Sequence, residues 1–148
     1  MRIVLQRVSR ASVISDGALT GSIGPGLLLL LGIEAADTHD DAFRLADKVA
    51  KLRVFGDADG KMNLSVIDTG GEALVISQFT LFGDCAKGNR PSYNRAARPE
   101  HAIPLYEKFV ARLSELLGKP VPTGVFGADM KVDLLNDGPV TLILDTRG

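Results

Sequence analysis

The first third of the chain alternates apolar and polar residues, the two-residue period of a half-buried β-strand. Residues 1–8 fit this period. Segments 11–15 and 18–23 flank Asp16-Gly17, a pair that tolerates the positive φ angles of a tight hairpin. After a Gly-Pro-Gly break, the apolar run 27–33 suits a strand that is buried on both faces. We therefore predict β-structure for this third.

Two later segments have the 3.6-residue period of amphipathic helices. Thr38 is a suitable N-cap, and the acidic residues that follow it suit the first turn of a helix that continues to about residue 52. A second helix is predicted from Pro99, a residue type favoured in first turns, to Gly118, a residue type that ends helices. Each helix has one apolar face that can pack on a sheet.

Strands are predicted again in the second half of the chain. Residues 62–67 fit a strand or an irregular extended segment, and residues 72–81 fit a strand that ends in Ser-Gln-Phe-Thr. Two final strands, 124–135 and 140–145, meet at an Asn-Asp-Gly-Pro turn. Because strands dominate and do not alternate regularly with helices, we predict an α+β fold with mostly antiparallel strands and two packed helices. A length of 148 residues indicates one domain over the whole chain.

Composition narrows the classes of function. The chain has 17 basic and 18 acidic residues. It therefore lacks the basic excess of proteins that coat nucleic acid along its backbone, and we do not expect it to bind in that way. Its longest apolar run is five leucines, far short of the ~20 residues of a membrane helix, and residues 1–8 lack the apolar core of a signal peptide. One cysteine and two distant histidines offer almost nothing to a zinc ion. We expect a cytoplasmic protein with no metal, no cofactor and no membrane contact.

The end of the 72–81 strand is the first candidate site. Ser77, Gln78 and Thr80 carry hydrogen-bonding side chains that need partners if they are buried. Strand alternation predicts that Ser77 and Phe79 share one face and that Gln78 and Thr80 share the other. The segment is either an edge strand that becomes polar as it leaves the core, or a place where side chains and free backbone N–H groups meet a ligand.

Asn136-Asp137-Gly138-Pro139 is the second candidate site. It is either a plain hairpin loop or a place where Gly138 permits close backbone approach and Pro139 permits a cis peptide bond.

A local excess of positive charge is the third candidate. Residues 86–101 hold four cations and one carboxylate: Lys87, Arg90, Arg95 and Arg98 against Glu100. These are either solvated loop charges or a small patch that faces phosphate.

At these segments the chain resembles the D-aminoacyl-tRNA deacylases, and the resemblance covers essentially the whole sequence. A single tetrapeptide would be weak support, but six motifs in the family's order are specific. They are Gln6-Arg7-Val8 with Ala11-Ser12-Val13, Gly60-Lys61-Met62-Asn63, Ser77-Gln78-Phe79-Thr80-Leu81, Lys87-Gly88 with Arg90-Pro91-Ser92, Phe126-Gly127-Ala128-Asp129-Met130, and Asn136-Asp137-Gly138-Pro139-Val140-Thr141.

The resemblance implies a homodimer with a β-barrel-like core that hydrolyses the ester between a D-amino acid, or glycine, and the 3′-terminal adenosine of tRNA. It implies that the segment Ser77–Thr80 lines the catalytic pocket. It also implies that Gly138 and Pro139 are joined by a cis bond and reach into the partner subunit's pocket, where they exclude L side chains. Arg7 lies close to that pair in the family pattern. Lys87, Arg90 and Arg95 are the predicted tRNA contacts.

The mechanism is open at the level of sequence. No histidine is placed to activate Thr80, and a lone threonine hydroxyl is a poor nucleophile. Our preferred hypothesis is that backbone N–H groups near Phe79 and Thr80 stabilise the oxyanion, while the ribose 2′-hydroxyl helps to activate water. Covalent catalysis by Thr80 is the alternative. The residues alone also allow a non-catalytic module that binds a tRNA end, or an esterase that does not require RNA.

Overall fold

A long first strand organises the sheet. The structure is a computed structural model that describes residues 1–148. Its elements in chain order are β1 (Arg2–Ser15), β2 (Ala18–Ile23), β3 (Gly26–Gly32), α1 (His39–Lys51), β4 (Phe55–Gly56), β5 (Met62–Leu64), α2 (Val66–Thr69), β6 (Glu72–Ser77), a single 3-10 turn (Phe79–Phe82, called the 79–82 turn), α3 (Pro99–Leu117) and β7 (Met130–Asp145).

Strand β1 has a partner on both sides over most of its length. On one side its first half pairs with β3 and its second half with β2, and on the other side it pairs with β7; all three pairings are antiparallel. Strand β6 adds to β3 in parallel, and the sheet curls into a half-barrel. The predicted α+β class is confirmed. Strands β3 and β6 can pair in parallel because the long connection between them, which includes α1 and the β4–β5 hairpin, returns the chain to the same end of the sheet.

The two long helices begin and end where the sequence predicts. Thr38 caps α1: its hydroxyl accepts from the Asp41 N–H, and the Asp41 carboxylate accepts from the Thr38 N–H. Burial raises the pKa of Asp41, but hydrogen bonds from Thr38 and the nearby Arg147 and Arg44 outweigh burial and hold that pKa below its ordinary value. Helix α3 ends at Gly118 in the left-handed conformation.

Several boundaries differ from the prediction. Residues 62–67 are not one segment, because an additional short helix, α2, begins after Ser65. Ser65 is its N-cap and forms a capping box with Asp68, and this signal is present in the sequence. The segments predicted as separate strands at each end of the chain form single long strands, β1 and β7, that pair with one another. Residues 124–129 precede β7 and are not part of it.

Two apolar layers cover the two faces of the sheet. One layer packs β1, β3 and β6 against α1 and α3 and includes Leu27, Leu29 and Leu31. The other lies on the opposite face and includes Leu28 and Ile76. Strand β3 is therefore buried on both faces, as the apolar run predicts.

Candidate functional site

A cavity of about 260 Å³ opens where β6 ends. Most of its wall is apolar, and the motif segment Ser77–Phe79 contributes its polar part. The remaining lining residues are Leu31, Ile33, Ile76, Ala97, Ala102, Phe126, Gly127, Ala128, Met130 and Val132. An apolar cavity with a few polar groups at one side is typical of a small-molecule site.

The chain leaves the sheet inside the Ser-Gln-Phe-Thr motif. The Gln78 N–H donates to the Leu31 carbonyl at 2.8 Å, and the chain then enters the 79–82 turn. Glycine at position 32 permits this bend, because a Cβ there would lie 3.0 Å from the Leu81 Cβ and 3.1 Å from the Gln78 carbonyl oxygen. The strand predicted to residue 81 therefore ends at Ser77.

The early end of β6 overturns the predicted grouping of Gln78 with Thr80, whereas Ser77 and Phe79 do face the same cavity. Ser77, Gln78 and Phe79 all line the cavity, whereas Thr80 does not line it and is exposed. The Gln78 amide donates to the Thr80 hydroxyl. Alternation applies only to an extended strand, so it fails where the chain turns.

Two backbone N–H groups are free of helical hydrogen bonds at the start of the 79–82 turn. The first bond of this turn runs from the Leu81 N–H to the Gln78 carbonyl at 3.2 Å. Phe79 and Thr80 precede that bond, so their N–H groups have no acceptor within the turn. Such groups can stabilise negative charge on a ligand oxygen.

Neither histidine reaches the cavity. His39 and His101 line a separate pocket between the N-terminal ends of α1 and α3, and His101 Nε2 lies 2.9 Å from the Asp37 carbonyl oxygen. No group of three or more His, Cys, Asp or Glu side chains could hold a metal ion. None of the helices has both the length and the apolar character needed to cross a membrane.

The motif Phe126–Met130 forms a wall of the cavity, a role that our sequence reasoning did not assign to it. Phe126 meets Tyr106 of α3 edge to face, with ring centres 5.9 Å apart. Burial raises the pKa of the Tyr106 hydroxyl. A Cβ at Gly124 would lie 2.4 Å from the Met130 sulfur, so a larger residue there would displace the Met130 side chain. A Gly-rich segment just before a strand was the available signal.

Arg7 ties the second candidate segment to the rest of the fold. Its Nε donates to the Asp137 carbonyl at 3.2 Å and its Nη1 donates to the Val54 carbonyl at 2.6 Å. The peptide bond between Gly138 and Pro139 is cis. Both residues are exposed, and neither lines the cavity of its own chain.

Strand β7 presents apolar side chains to solvent on both sides of Gly138. The exposed fractions are 51% for Leu135 and 70% for Ile143, and Leu142 is also exposed. Strand β7 pairs with β1 and with no other strand. A long edge strand with exposed apolar residues is a surface that can pair with another chain.

The three predicted tRNA contacts have different surroundings. Arg95 forms an ion pair with Glu34 at 3.2 Å. Lys87 and Arg90 are exposed and form no ion pair. The last two are therefore the cations whose charge is least compensated in this loop.

Comparison with known proteins identifies the family. A family model described as D-Tyr-tRNA(Tyr) deacylase matches residues 4–145. The chain belongs to the D-Tyr-tRNA(Tyr) deacylase family. Curated relatives named D-aminoacyl-tRNA deacylase from Akkermansia muciniphila and Chromobacterium violaceum are 59% and 60% identical over 147 residues, covering 99% of this chain and 98% of theirs. The sequence resemblance to these deacylases is thereby confirmed, and the family is one of hydrolases.

Solved structures extend the comparison. A structure titled c-Myc DNA Unwinding Element Binding Protein has a TM-score of 0.91 and 40% identity, and the match covers 99% of both chains. A structure titled as a probable eukaryotic D-amino acid tRNA deacylase has a TM-score of 0.83 at 15% identity and covers 97% of both chains. The second likeness shows a shared fold.

Proposed function

We propose that this chain hydrolyses the ester between a D-amino acid, or glycine, and the 3′-terminal adenosine of tRNA. One observation carries the proposal: in a member of a deacylase family, Ser77, Gln78 and Phe79 bend into an otherwise apolar cavity where β6 ends. That bend brings Phe79 to the wall of a space of about 260 Å³, which suits the end of a charged tRNA rather than its length. The near-neutral net charge of −1 fits such a limited contact.

The chemistry assigned to the site is addition of water to an ester carbonyl. A water oxygen bonds to the carbonyl carbon, the carbonyl electrons move to its oxygen, and the N–H groups of Phe79 and Thr80 stabilise that oxyanion. The adjacent ribose 2′-hydroxyl orients the water. When the oxyanion collapses, the bond to the ribose 3′-oxygen breaks and that oxygen takes the proton released by the water. The products are the free D-amino acid and tRNA, and no cofactor takes part.

Rejection of L-aminoacyl-tRNA is assigned to Gly138 and Pro139 of the partner subunit. These residues are exposed, lie outside the cavity of their own chain and are tied down by Arg7, which suits a rigid element that enters a neighbouring site. A backbone element can exclude a Cβ of one hand whatever side chain follows it. Glycine passes because it has no Cβ, so Gly-tRNA is also a substrate in this proposal.

This gate, formed by Gly138 and Pro139 of one subunit in the pocket of the other, requires a homodimer with its active sites at the interface. The exposed apolar residues of β7 on both sides of Gly138 support this assembly, because burying them would remove apolar area from water. Sedimentation velocity at the protein concentration of the assay tests it, and a dimer is expected. A monomer under those conditions would contradict the gate across subunits.

Reversing the charge of the uncompensated loop cations should weaken tRNA binding. We expect the double variant K87E/R90E to lower affinity at low salt, and the difference from wild type to shrink as salt rises, because phosphate contacts release counterions. Fluorescence anisotropy with uncharged tRNA measures this. The variant K48E/K51E reverses two cations of α1 and changes net charge equally. Equal affinity for the two double variants would show that Lys87 and Arg90 do not contact tRNA. The variant R95E tests Arg95 in the same assay.

The rival functions differ in one experiment. Incubation with D-tyrosyl-tRNA and with a free D-tyrosine ester, with EDTA present, separates the three classes. The proposed hydrolase cleaves the charged tRNA much faster than the free ester. A binding module would retain the tRNA without cleaving it, and an esterase without RNA dependence would cleave both at similar rates.

A further inference from the structure

Two arginines hold the side chain of Phe82, the last residue of the 79–82 turn. The Arg2 Cζ lies 4.8 Å from the centre of the Phe82 ring, and the Arg95 Cζ lies 5.3 Å from it. Phe82 is 1% exposed and the Arg2 side chain is 30% exposed, so this cation–π contact is partly desolvated; the Arg95 side chain is 58% exposed, so its contact is weaker. The turn is thus fixed at its end, three residues after the N–H group of Phe79.

Arg2 makes a second contact with the same turn. Its Nη1 donates to the Leu81 carbonyl at 2.8 Å, a group near the end of the turn that has no donor within it. Its Nε donates to the Asp145 carboxylate at 2.8 Å, also in a partly buried setting. One planar guanidinium therefore joins the 79–82 turn to β7, the strand that carries Gly138.

Asp145 stays ionised for this role. Burial raises its pKa, but the Arg147 N–H and the hydrogen bond and charge of Arg2 outweigh burial and hold it below the ordinary value. The carboxylate thus orients the guanidinium at neutral pH. Gly32 of β3 leaves room for the turn, because a Cβ at this position would lie 3.2 Å from a ring carbon of Phe82.

We propose that Arg2 is a positioning residue for ester hydrolysis: it holds the 79–82 turn where the N–H groups of Phe79 and Thr80 meet the oxyanion. The inference rests on the proposed function, because the oxyanion is assigned there. Arg2 touches no substrate in this account and acts only through Leu81 and Phe82. A turn held at its end moves less when charge develops, and misplacement of reacting groups by about 1 Å can cost about 10²-fold in rate.

A matched pair on the same two strands provides the control. Arg10 of β1 donates to Asp133 of β7 at 2.9 Å, but both side chains are mostly exposed and neither contacts the turn. The variants R2M and R10M each remove one arginine from a β1–β7 ion pair. Any general effect of losing such a pair appears in both variants.

Steady-state hydrolysis of D-tyrosyl-tRNA separates the variants. We expect R2M to lower kcat by about 10–10²-fold with little change in KM, and R10M to change neither. R2K keeps a positive charge opposite Asp145 and so guards against loss of folding, but lysine lacks the planar fork, so kcat should fall between wild type and R2M. Folded R2M and R2K with wild-type kcat would overturn the proposal.

Amide hydrogen exchange gives a readout that is independent of activity. We expect the amides of residues 81–83 to exchange faster in R2M than in wild type and in R10M, because the turn opens more often. Equal exchange in R2M and R10M would overturn the positioning role. If the wild-type chain hydrolysed no charged tRNA, the proposed function would fail. The exchange comparison would then be the only test of whether Arg2 fixes the turn.

Discussion

Replacing the 2′-hydroxyl of the 3′-terminal adenosine by hydrogen should slow enzymatic hydrolysis of D-tyrosyl-tRNA by about 10²–10⁴-fold, the range of a positioned acid–base group. No histidine lines the cavity, and no side chain there is an evident base for water. The substrate must then supply the group that orients the water. The rate is measured with tRNA that ends in 2′-deoxyadenosine charged on the 3′-oxygen, and each rate is divided by the rate without enzyme.

In contrast to removal of the 2′-hydroxyl, we expect the variant T80A to change the rate of hydrolysis little. Thr80 is exposed, lies outside the lining of the cavity and receives a hydrogen bond from Gln78, so its hydroxyl is not placed as an activated nucleophile. We expect T80A to keep the rate within about tenfold of wild type, because its backbone N–H remains. A loss approaching ~10⁴-fold, with an acyl group trapped on Thr80 of the wild type, would establish covalent catalysis instead.

Alanine at position 138 should lower kcat/KM for D-tyrosyl-tRNA by about 10²-fold. Gly138 has a φ of 127°, which L side chains rarely adopt, and a Cβ there would lie 2.9 Å from the Arg7 Nη2 and 3.0 Å from the Val140 nitrogen. The backbone at Gly138 and Pro139 must then shift. In the proposed gate, the backbone carbonyls of Gly138 and Pro139 contact the α-amino group of the substrate, so that shift weakens substrate recognition.

The variant G17A is the matched control for this substitution. Gly17 also has a positive φ, of 85°, but a Cβ there would meet no atom within 4 Å. Alanine is strained at both positions, because L side chains rarely adopt either φ, but only G138A disturbs the gate. Equal kcat/KM for the two variants would remove Gly138 from substrate recognition.

Local signals predicted most of the fold because they act over a few residues. The Asp16-Gly17 hairpin, the Thr38 cap and the Gly118 stop are each determined by the conformational preference of one or two residues, and each is present in the structure. The Ser65 cap of α2 was an equally local signal that we missed, because the surrounding apolar residues also fit an extended segment.

Tertiary contacts determine the features that local sequence patterns could not predict. The end of β6 depends on the pairing of β3, which stops at Leu31, and on the space that Gly32 leaves for the turn. These contacts join residues nearly fifty positions apart, so no local pattern predicts that Gln78 lines the cavity together with Ser77 and Phe79. The contacts of Arg2 with Leu81 and Asp145 join residues that lie 79 and 143 positions apart.

The most direct test of the account compares the initial rates of hydrolysis of D-tyrosyl-tRNA and L-tyrosyl-tRNA by the same wild-type preparation with EDTA present. We expect rapid loss of the D ester, while the L ester decays at the rate seen without enzyme. Equal rates for the two esters would contradict the gate. No hydrolysis of either ester would contradict the proposed reaction and favour a module that only binds the tRNA end.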